Sequence, residues 1–160
     1  TYVRSRERTH YLSLVTDAFS RKIMVYHLSD DMSAGNVVKA LQMAIKNRKT
    51  TWPLIHHSDR GLQYCSALNQ EKLTYSQTKP SMTDGYDCYQ NALAERINGI
   101  LKQEFLLETC NTGKELECLI KESINIFNKE RPHLSLNMKT PNEIHQKTEE
   151  ENLPRLILLT

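Results

Sequence analysis

The sequence has 160 residues, of which 25% are charged and 39% hydrophobic, and this is the composition of an ordinary globular domain with one core. No run approaches the ~18 consecutive apolar residues of a membrane span, and no apolar stretch follows the basic opening as in a signal peptide. The net charge is only +2, although residues 1–140 hold 19 basic and 15 acidic side chains, which is compatible with a phosphate-binding surface.

The first half of the chain has the composition of β-strands. Residues 11–15 and 22–28 are apolar runs separated by a short polar turn, which predicts an antiparallel hairpin, and a strand near residues 1–3 would precede it. After Ser33 a helix is predicted from the helical spacing of Val37, Val38, Leu41, Ala44 and Ile45.

The second half mixes strands with helices. Its pattern predicts strands at 52–56 and 78–82, helices at 66–75, 91–109 and 114–129, and one more helical piece after Pro141. Residues 83–90 have turn chemistry and are predicted to form a loop. Residues 153–159 (LPRLILL) have no local context that identifies what they pair with. Strands first, then a mixture, then helices indicate an α/β sandwich around a mixed sheet.

The first candidate for chemistry is an acid that directly follows an apolar strand. Residues 56–61 (HHSDRG) place Asp59 at the carboxyl edge of the predicted sheet, where ligands bind in open α/β folds. Taken alone, the pattern favours a turn in which Asp59 accepts hydrogen bonds from nearby amides and Gly61 supplies a positive φ. His57 is a candidate neighbour of the site.

The second candidate is Glu95, on the predicted helix 91–109. At ~100° per residue one face is apolar, formed by Leu93, Ile97, Ile100, Leu101 and Phe105. The opposite side is polar, formed by Asn91, Glu95, Asn98 and Lys102. Taken alone, this is typical of a solvated helix face. Gly99 costs such a helix ~1 kcal/mol relative to alanine, and close approach of a ligand such as DNA is one reason to accept that cost.

Several ordered motifs connect the two candidates. They lie at residues 17–23 (DAFSRKI), 57–64 (HSDRGLQY), 80–82 (PSM), 88–95 (CYQNALAE), 101–104 (LKQE), 127–128 (FN), 131–133 (RPH) and 140–141 (TP). In this order and at these separations they resemble the integrase core shared by bacterial insertion-sequence transposases and retroviral integrases, and most closely the insertion-sequence branch. The resemblance covers about residues 1–145.

The resemblance implies an α/β fold of the ribonuclease-H type, with a mixed five-stranded sheet flanked by helices. It also implies an Asp–Asp–Glu triad that binds two Mg²⁺ or Mn²⁺ ions, in which Asp59 matches the second acid and Glu95 the third. Contacts with DNA are expected from Lys102, Asn91, Asn98 and Arg60.

The first acid of the triad is expected outside this chain. In the family it lies just before a Thr-Tyr pair that resembles Thr1-Tyr2, whereas Asp17 belongs to another family motif and lies one strand later. We therefore expect a catalytic core at 1–145, truncated at its amino end, and a tail at 146–160. We also expect this fragment to be catalytically inactive or nearly so.

The implied function is metal-dependent DNA cleavage and strand transfer in transposition. The implied partners are element ends and target DNA, bound by a homo-oligomer in the bacterial cytoplasm, and a reducing cytoplasm also suits four cysteines without a C-x-x-C pair. Two alternatives stay open. A nuclease of the same fold would hydrolyse without joining, and a non-catalytic DNA-binding or assembly module would lack an acid upstream of Thr1 in its full-length gene.

Overall fold

One mixed sheet with helices around it organises the chain. The computed structural model describes residues 1–48, 53–83, 91–105, 110–151 and 155–159. Within them the strands are β1 (Tyr2–Arg4), β2 (Thr9–Asp17), β3 (Ile23–Ser29), β4 (Leu54–Ser58), β5 (Thr78–Met82) and β6 (Arg155–Leu159). The helices are α1 (Ala34–Lys46), α2 (Ala67–Tyr75), α3 (Ala92–Ile100), α4 (Gly113–Lys129) and α5 (Pro141–Glu151). The predicted α/β architecture and the predicted β2–β3 hairpin are confirmed.

The strand order explains how six strands fit a sheet that was predicted to have five. Strands β1 and β6 both pair antiparallel with β2, one after the other: residues 2–4 lie opposite 9–11, and residues 157–159 lie opposite 15–17. Strand β6 is parallel to β4, and β4 is parallel to β5. The order across the sheet is therefore β3, β2, β1 together with β6, β4 and β5, which is five positions wide.

Two hydrophobic clusters cover the two faces of the sheet. Adjacent residues of a strand point to opposite faces, so Leu14 and Val15 on β2 belong to different clusters. The Leu14 cluster contains buried residues of α3 and α4, among them Ile97 and Ile120. The Val15 cluster contains buried residues of α1, α2 and β4, and Ile157 of β6 is one of its members.

Two elements differ from the sequence-based prediction. The predicted helix 91–109 is α-helical only to Ile100, and Leu101–Phe105 form a π-helical turn with the longer i to i+5 hydrogen bonds. Leu101 is buried like the apolar residues of α3 before it. The sequence predicted no partner for residues 153–159. In the structure residues 155–159 form β6, which lies between β2 and β4 in the sheet. Residue 145, the predicted end of the core, falls within α5. The predicted loop at 83–90 and the predicted helix end at 106–109 lie largely outside the described residues. Among the described helices, none combines the length and apolar character needed to cross a membrane.

Helix α5 is joined to the end of β2 by a buried polar cluster. Asp17 Oδ2 accepts a hydrogen bond of 2.6 Å from Ser20 Oγ and lies 3.0 Å from His145 Nδ1. Ser20 Oγ lies 3.1 Å from the same nitrogen of His145. All three side chains are at most 2% exposed, so this cluster is part of the interior rather than a surface contact.

Candidate active site at the end of strand β4

Asp59 directly follows β4 and lies on the surface, at the carboxyl edge of the sheet. The β4 residues Leu54, His56 and Ser58 are buried on one face, and Asp59, the next residue, is exposed. Asp59 Oδ1 accepts a hydrogen bond of 2.8 Å from the amide of Gly61. The expected turn is therefore present, and the same carboxylate also lies where a ligand would meet it.

Gly61 is needed for a different reason from the one the sequence suggests. Its φ lies outside the left-handed region, so the predicted positive φ is wrong. A Cβ atom at this position would lie 2.9 Å from Asp59 Oδ1 and 2.7 Å from Gln63 Nε2. Glycine thus allows the Asp59 side chain to fold back over its own turn, because no side chain occupies that space.

The amino group of Thr1 connects Asp59 with the segment that follows α3. It donates a hydrogen bond of 2.8 Å to the carbonyl oxygen of Leu12. Its pKa is lowered to about 6, first by burial and then by the positive charge of Lys102, while the negative charge of Asp59 acts to raise it. The charges of Asp59 and Lys102 thus both act at the position of Thr1, in opposite senses.

Glu95 lies on the exposed side of α3, as predicted. The apolar face is buried through Ala94, Ile97, Ile100 and Leu101, and Leu93 and Phe105 pack against the same cluster. Asn91 is the N-cap residue of α3, and its side chain forms no capping hydrogen bond. Asn98 Oδ1 is buried and has no hydrogen-bond partner in the described part of the chain.

Gly99 faces open space. No heavy atom of the described residues, outside its own helix and neighbours, would lie within 4 Å of a Cβ at this position. Packing inside the chain therefore does not explain why a helix interior carries a glycine here. The predicted reason, close approach of a ligand backbone, stays a prediction.

A salt bridge that the sequence pattern does not reveal fixes the π turn. Arg131, just past the end of α4, donates from Nε to Glu104 Oε2 at 2.7 Å and from Nη2 to Glu104 Oε1 at 2.6 Å. This two-point pairing lowers the pKa of Glu104, and Arg131's hydrogen bond is the largest cause. Glu104 and Arg131 belong to two of the motifs, at 101–104 and 131–133, and that shared membership is the only signal in the sequence for the pair.

The remaining predicted residues lie between β4 and β5. Arg60 Nε donates a hydrogen bond of 2.7 Å to the carbonyl oxygen of Thr83, so its guanidinium is held at the end of β5. His57 Nδ1 lies 2.9 Å from Ser81 Oγ on β5, and its Nε2 has no partner among the described residues. Burial lowers the pKa of His56 to about 4, so its imidazole is neutral near pH 7.

The carboxylates of Asp59 and Glu95 are chemically suitable ligands for a hard divalent cation. Asp59 and Glu95 are exposed and offer oxygen ligands, which Mg²⁺ prefers, and Mg²⁺ keeps several waters in protein sites. Within the described residues no group of three or more His, Cys, Asp or Glu side chains is placed to share one ion. Two carboxylates fit such an ion as part of its ligand set and need further ligands to complete it.

Comparison with known proteins identifies relatives in both sequence and fold. Two family models described as "Integrase core domain" match residues 1–88 and residues 76–141. The chain is 36% identical over 149 residues to an uncharacterized 31 kDa protein of insertion element IS600 from Shigella sonnei, covering 92% of this chain and 55% of that protein. It is 41% identical over 104 residues to the transposase InsF of insertion sequence IS3fB from Escherichia coli K12, covering 65% of this chain and 36% of that protein.

A solved structure supports the ribonuclease-H-like fold. The catalytic core of HTLV-2 integrase in complex with magnesium, in a dimeric form, superposes with a TM-score of 0.70 at 24% identity. The match covers 91% of this chain and 90% of that core. By contrast, the chain spans only 36 to 55% of the length of the two insertion-sequence relatives.

Proposed function

Since this chain belongs to the integrase core domain family, we propose that it forms the catalytic core of an enzyme that cuts and joins DNA during transposition. The observation that carries the proposal is the exposed carboxylate of Asp59, which directly follows β4 at the carboxyl edge of the sheet. Both relatives named above belong to insertion sequences, which supports transposition over other reactions of the same fold.

Asp59 and Glu95 would hold the divalent cations of the reaction. Mg²⁺ or Mn²⁺ bound there would stabilise negative charge on the attacking and leaving oxygens of a phosphodiester. The position of Thr1 supports a third ligand from β1, because that strand, continued upstream in a longer chain, would enter the space beside Asp59. The resemblance of Thr1-Tyr2 to the family's first motif supports a first acid just upstream of Thr1.

Side chains around these acids would bind and orient the DNA. The ammonium group of Lys102, held by the π turn, would contact a phosphate as a point charge. The amides of Asn91 and Asn98 share the side of α3 that carries Glu95 and would donate to phosphate or sugar oxygens. Arg60, held at the end of β5 by its hydrogen bond to Thr83, would contact the DNA from there.

The reaction needs no covalent bond to the protein. Hydrolysis at the element end releases a 3′-hydroxyl, and that hydroxyl attacks a target phosphodiester in line. We assign His57 only as a neighbour of the site, since it lies two residues before Asp59 and its Nδ1 lies 2.9 Å from Ser81 Oγ on β5. We also propose that a homo-oligomer carries out the joining, since two DNA ends and a target must be held together.

Mn²⁺ binding tests the assignment of Asp59 and Glu95. The full-length gene product and its Asp59→Asn and Glu95→Gln variants would be titrated with Mn²⁺ by electron paramagnetic resonance. We expect each variant to lose at least about tenfold in affinity, since each removes a charged ligand. Glu122→Gln, at an exposed glutamate on α4, is the matched control and should bind as the parent does. Unchanged binding by both site variants would refute the assignment.

A strand-transfer assay separates the alternative functions. The full-length protein would be incubated with Mg²⁺, labelled element ends and a target plasmid. Joined products support transposition, and their loss in Asp59→Asn places the chemistry at this site. Hydrolysed ends without joined products would indicate a nuclease, and DNA binding without either product would indicate an assembly module.

A further inference from the structure

One face of β1 presents an aromatic side chain and two basic side chains to solvent. Exposed and buried residues alternate from Tyr2 to Arg6, so Tyr2, Arg4 and Arg6 share one face of this extended segment. Val3, between them, is buried in the cluster that also contains residues of α3. Tyr2, Arg4 and Arg6, which we call the β1 row, therefore lie on the opposite face of the sheet from α3.

The Tyr2 ring is held in place but largely exposed. It packs against Tyr11, its direct partner on β2, with the ring centroids 5.2 Å apart and the ring planes tilted by 57°. Tyr2 nevertheless remains 55% exposed. An aromatic ring that one neighbour supports and that is otherwise open to solvent offers a surface on which an unpaired nucleic acid base can stack.

The charges of Arg4 and Arg6 are not neutralised within the part of the chain that the structure describes. In that part neither guanidinium forms a salt bridge or a hydrogen bond. The acids that border the same hairpin are already engaged. Asp30 pairs with Arg8 at 3.0 Å, and Glu7 accepts a hydrogen bond of 3.3 Å from the first amide of α4. Arg4 and Arg6 are therefore two exposed positive charges available to an anion from outside the chain.

The spacing of the β1 row matches that of a DNA backbone. Alternate residues of a strand lie about 6.6 Å apart, which is close to the distance between successive phosphates of an extended DNA strand. Arg4 and Arg6 can each contact one phosphate, and a guanidinium can donate two parallel hydrogen bonds to it. Tyr2, one step further along the same face, then meets a base of that strand. Proteins hold single strands by this combination of positive charges and aromatic rings.

The β1 row ends beside the turn that carries Asp59. Tyr2 lines one cleft together with Gln63 and Tyr64, the residues that follow this turn. Gln63 Nε2 lies against Gly61, 2.7 Å from the position that a Cβ atom would take there. A DNA strand that lies along the row therefore reaches the carboxyl edge of the sheet next to Asp59.

We propose that the β1 row is a binding site for an unpaired segment of DNA, in which Tyr2 stacks on a base and Arg4 and Arg6 hold successive phosphates. The proposal rests on the proposed function in one respect, that DNA is the substrate. The segment is single-stranded because, inside a duplex, stacked neighbours cover both faces of each base and leave none for Tyr2. Binding there would keep the two DNA strands apart next to the phosphodiester that reaches Asp59.

Fluorescence anisotropy titrations of the 160-residue chain with a labelled oligothymidine test the role of Tyr2. The titrations contain EDTA, so that neither metal binding nor cleavage contributes. Tyr2→Leu should weaken binding by about fivefold or more, since it removes the stacking of one base. Tyr2→Phe keeps the ring and should bind as the parent does. Tyr75→Leu is the matched control, because Tyr75 is 86% exposed on α2, outside the row.

The salt dependence of the same binding tests the two arginines. Each phosphate contact with a single strand contributes about 0.7 to the steepness with which log affinity falls against log salt concentration. Arg4→Gln and Arg6→Gln should each reduce that steepness by about this amount. Arg8→Gln is the matched control, since Arg8 lies in the same hairpin but is already paired with Asp30, and it should keep the parent's salt dependence.

Three results would overturn the proposal: no measurable binding of the oligothymidine by the parent, unchanged affinity in Tyr2→Leu, or equal effects of Arg4→Gln and Arg8→Gln. A loss in Tyr2→Leu that is equally large for a duplex would also overturn it, because the base would then not need to be unpaired. Urea unfolding checks that each variant is folded. If Tyr2→Leu fails to fold, the salt dependence of Arg4→Gln and Arg6→Gln decides.

None of these measurements involves a metal ion. The β1 row can therefore fail to bind single strands while Asp59 and Glu95 still bind Mn²⁺, and it can bind them if the two acids do not bind Mn²⁺.

Discussion

Strands β2 and β4 end in the same kind of residue, an aspartate, and the two ends are built in opposite ways. Asp17, the last residue of β2, is 1% exposed and is enclosed by Ser20 and His145. Asp59, the residue after β4, is exposed, and its Oδ1 accepts from the amide of its own turn. One carboxylate is part of the interior, whereas the other faces solvent at the sheet edge.

The polar groups near Asp17 are hydrogen-bonded to one another, whereas several of those near Asp59 are not. Around Asp17 the buried polar side chains contact one another across 125 residues of sequence. Along the end of β4, three buried atoms have no hydrogen-bond partner among the described residues: His56 Nε2, His57 Nε2 and Ser58 Oγ. Leaving such an atom without a partner costs about 1–3 kcal/mol. The difference indicates that the β2 end serves the fold, and that the β4 end carries polar groups for which packing gives no reason.

The largest expected effect on stability comes from removing the negative charge of Asp17, and the same change at Asp59 should have almost no effect. Asp17→Asn should destabilise the protein by about 3 kcal/mol, because it disrupts the hydrogen bonds of a fully buried carboxylate with Ser20 and His145. Asp59→Asn should change stability by less than about 0.5 kcal/mol, since its side chain is exposed. Urea unfolding measures both. Equal losses would show that the two strand ends do not differ as described.

His56 should make the β4 end sensitive to acid. Burial lowers its pKa from 6.5 to about 4 in the folded protein. Above pH 6.5 neither the folded nor the unfolded chain is protonated at this residue. As the pH falls from 6.5 to 4, the unfolded chain takes up a proton that the folded chain does not, so stability should fall by about 3 kcal/mol.

Unfolding free energies measured across that pH range isolate this contribution by difference. His56→Gln should lose the part of the pH slope that His56 supplies, whatever it does to stability at pH 7. An unchanged slope in His56→Gln would mean that the imidazole is solvated in the folded state.

The Glu104–Arg131 pair should contribute about 1 kcal/mol, less than the Asp17 cluster, because Glu104 is 46% exposed and water screens the pair. A double-mutant cycle of Glu104→Ala and Arg131→Ala measures this coupling energy. We further expect Arg131→Ala to weaken DNA binding, since it releases the π turn that holds Lys102. The double variant Glu104→Arg/Arg131→Glu, which exchanges the two charges, should recover part of that binding. A coupling energy of zero in the double-mutant cycle would show that the Glu104–Arg131 salt bridge does not stabilise the fold.

Local pattern was enough to predict the elements that carry the site. The two runs at 11–15 and 22–28, separated by a short polar turn, predicted the hairpin. The helical spacing in 91–105 predicted which face of α3 is buried, and both patterns depend on near neighbours in the sequence. The motifs then placed Asp59 at a strand end and Glu95 on an exposed helix side, where the structure has them.

What the sequence did not predict depends on contacts between distant residues. Strand β6 is apolar only after Arg155, and its partners on β2 lie at the other end of the chain. The π turn keeps Leu101 buried as an α-helix would, so no periodicity reveals it. The positive φ expected at Gly61 was wrong, since the constraint is the space taken by Asp59 and Gln63 rather than the backbone angle.

Gly99→Ala is the smallest expected effect on stability and the one of opposite sign. Alanine should stabilise α3 by up to about 1 kcal/mol, because no described atom lies where the new methyl group would go. If the open space is where a DNA backbone approaches, the same substitution should weaken DNA binding in a fluorescence anisotropy titration. Gly35→Ala in α1 is the matched control, since the Cβ atom would lie 3.8 Å from Ser33 Oγ, an ordinary van der Waals distance. If Gly99→Ala is stabilised and both variants bind DNA as the parent does, the exposed side of α3 does not contact the DNA. The assignment of Asp59 would be unaffected.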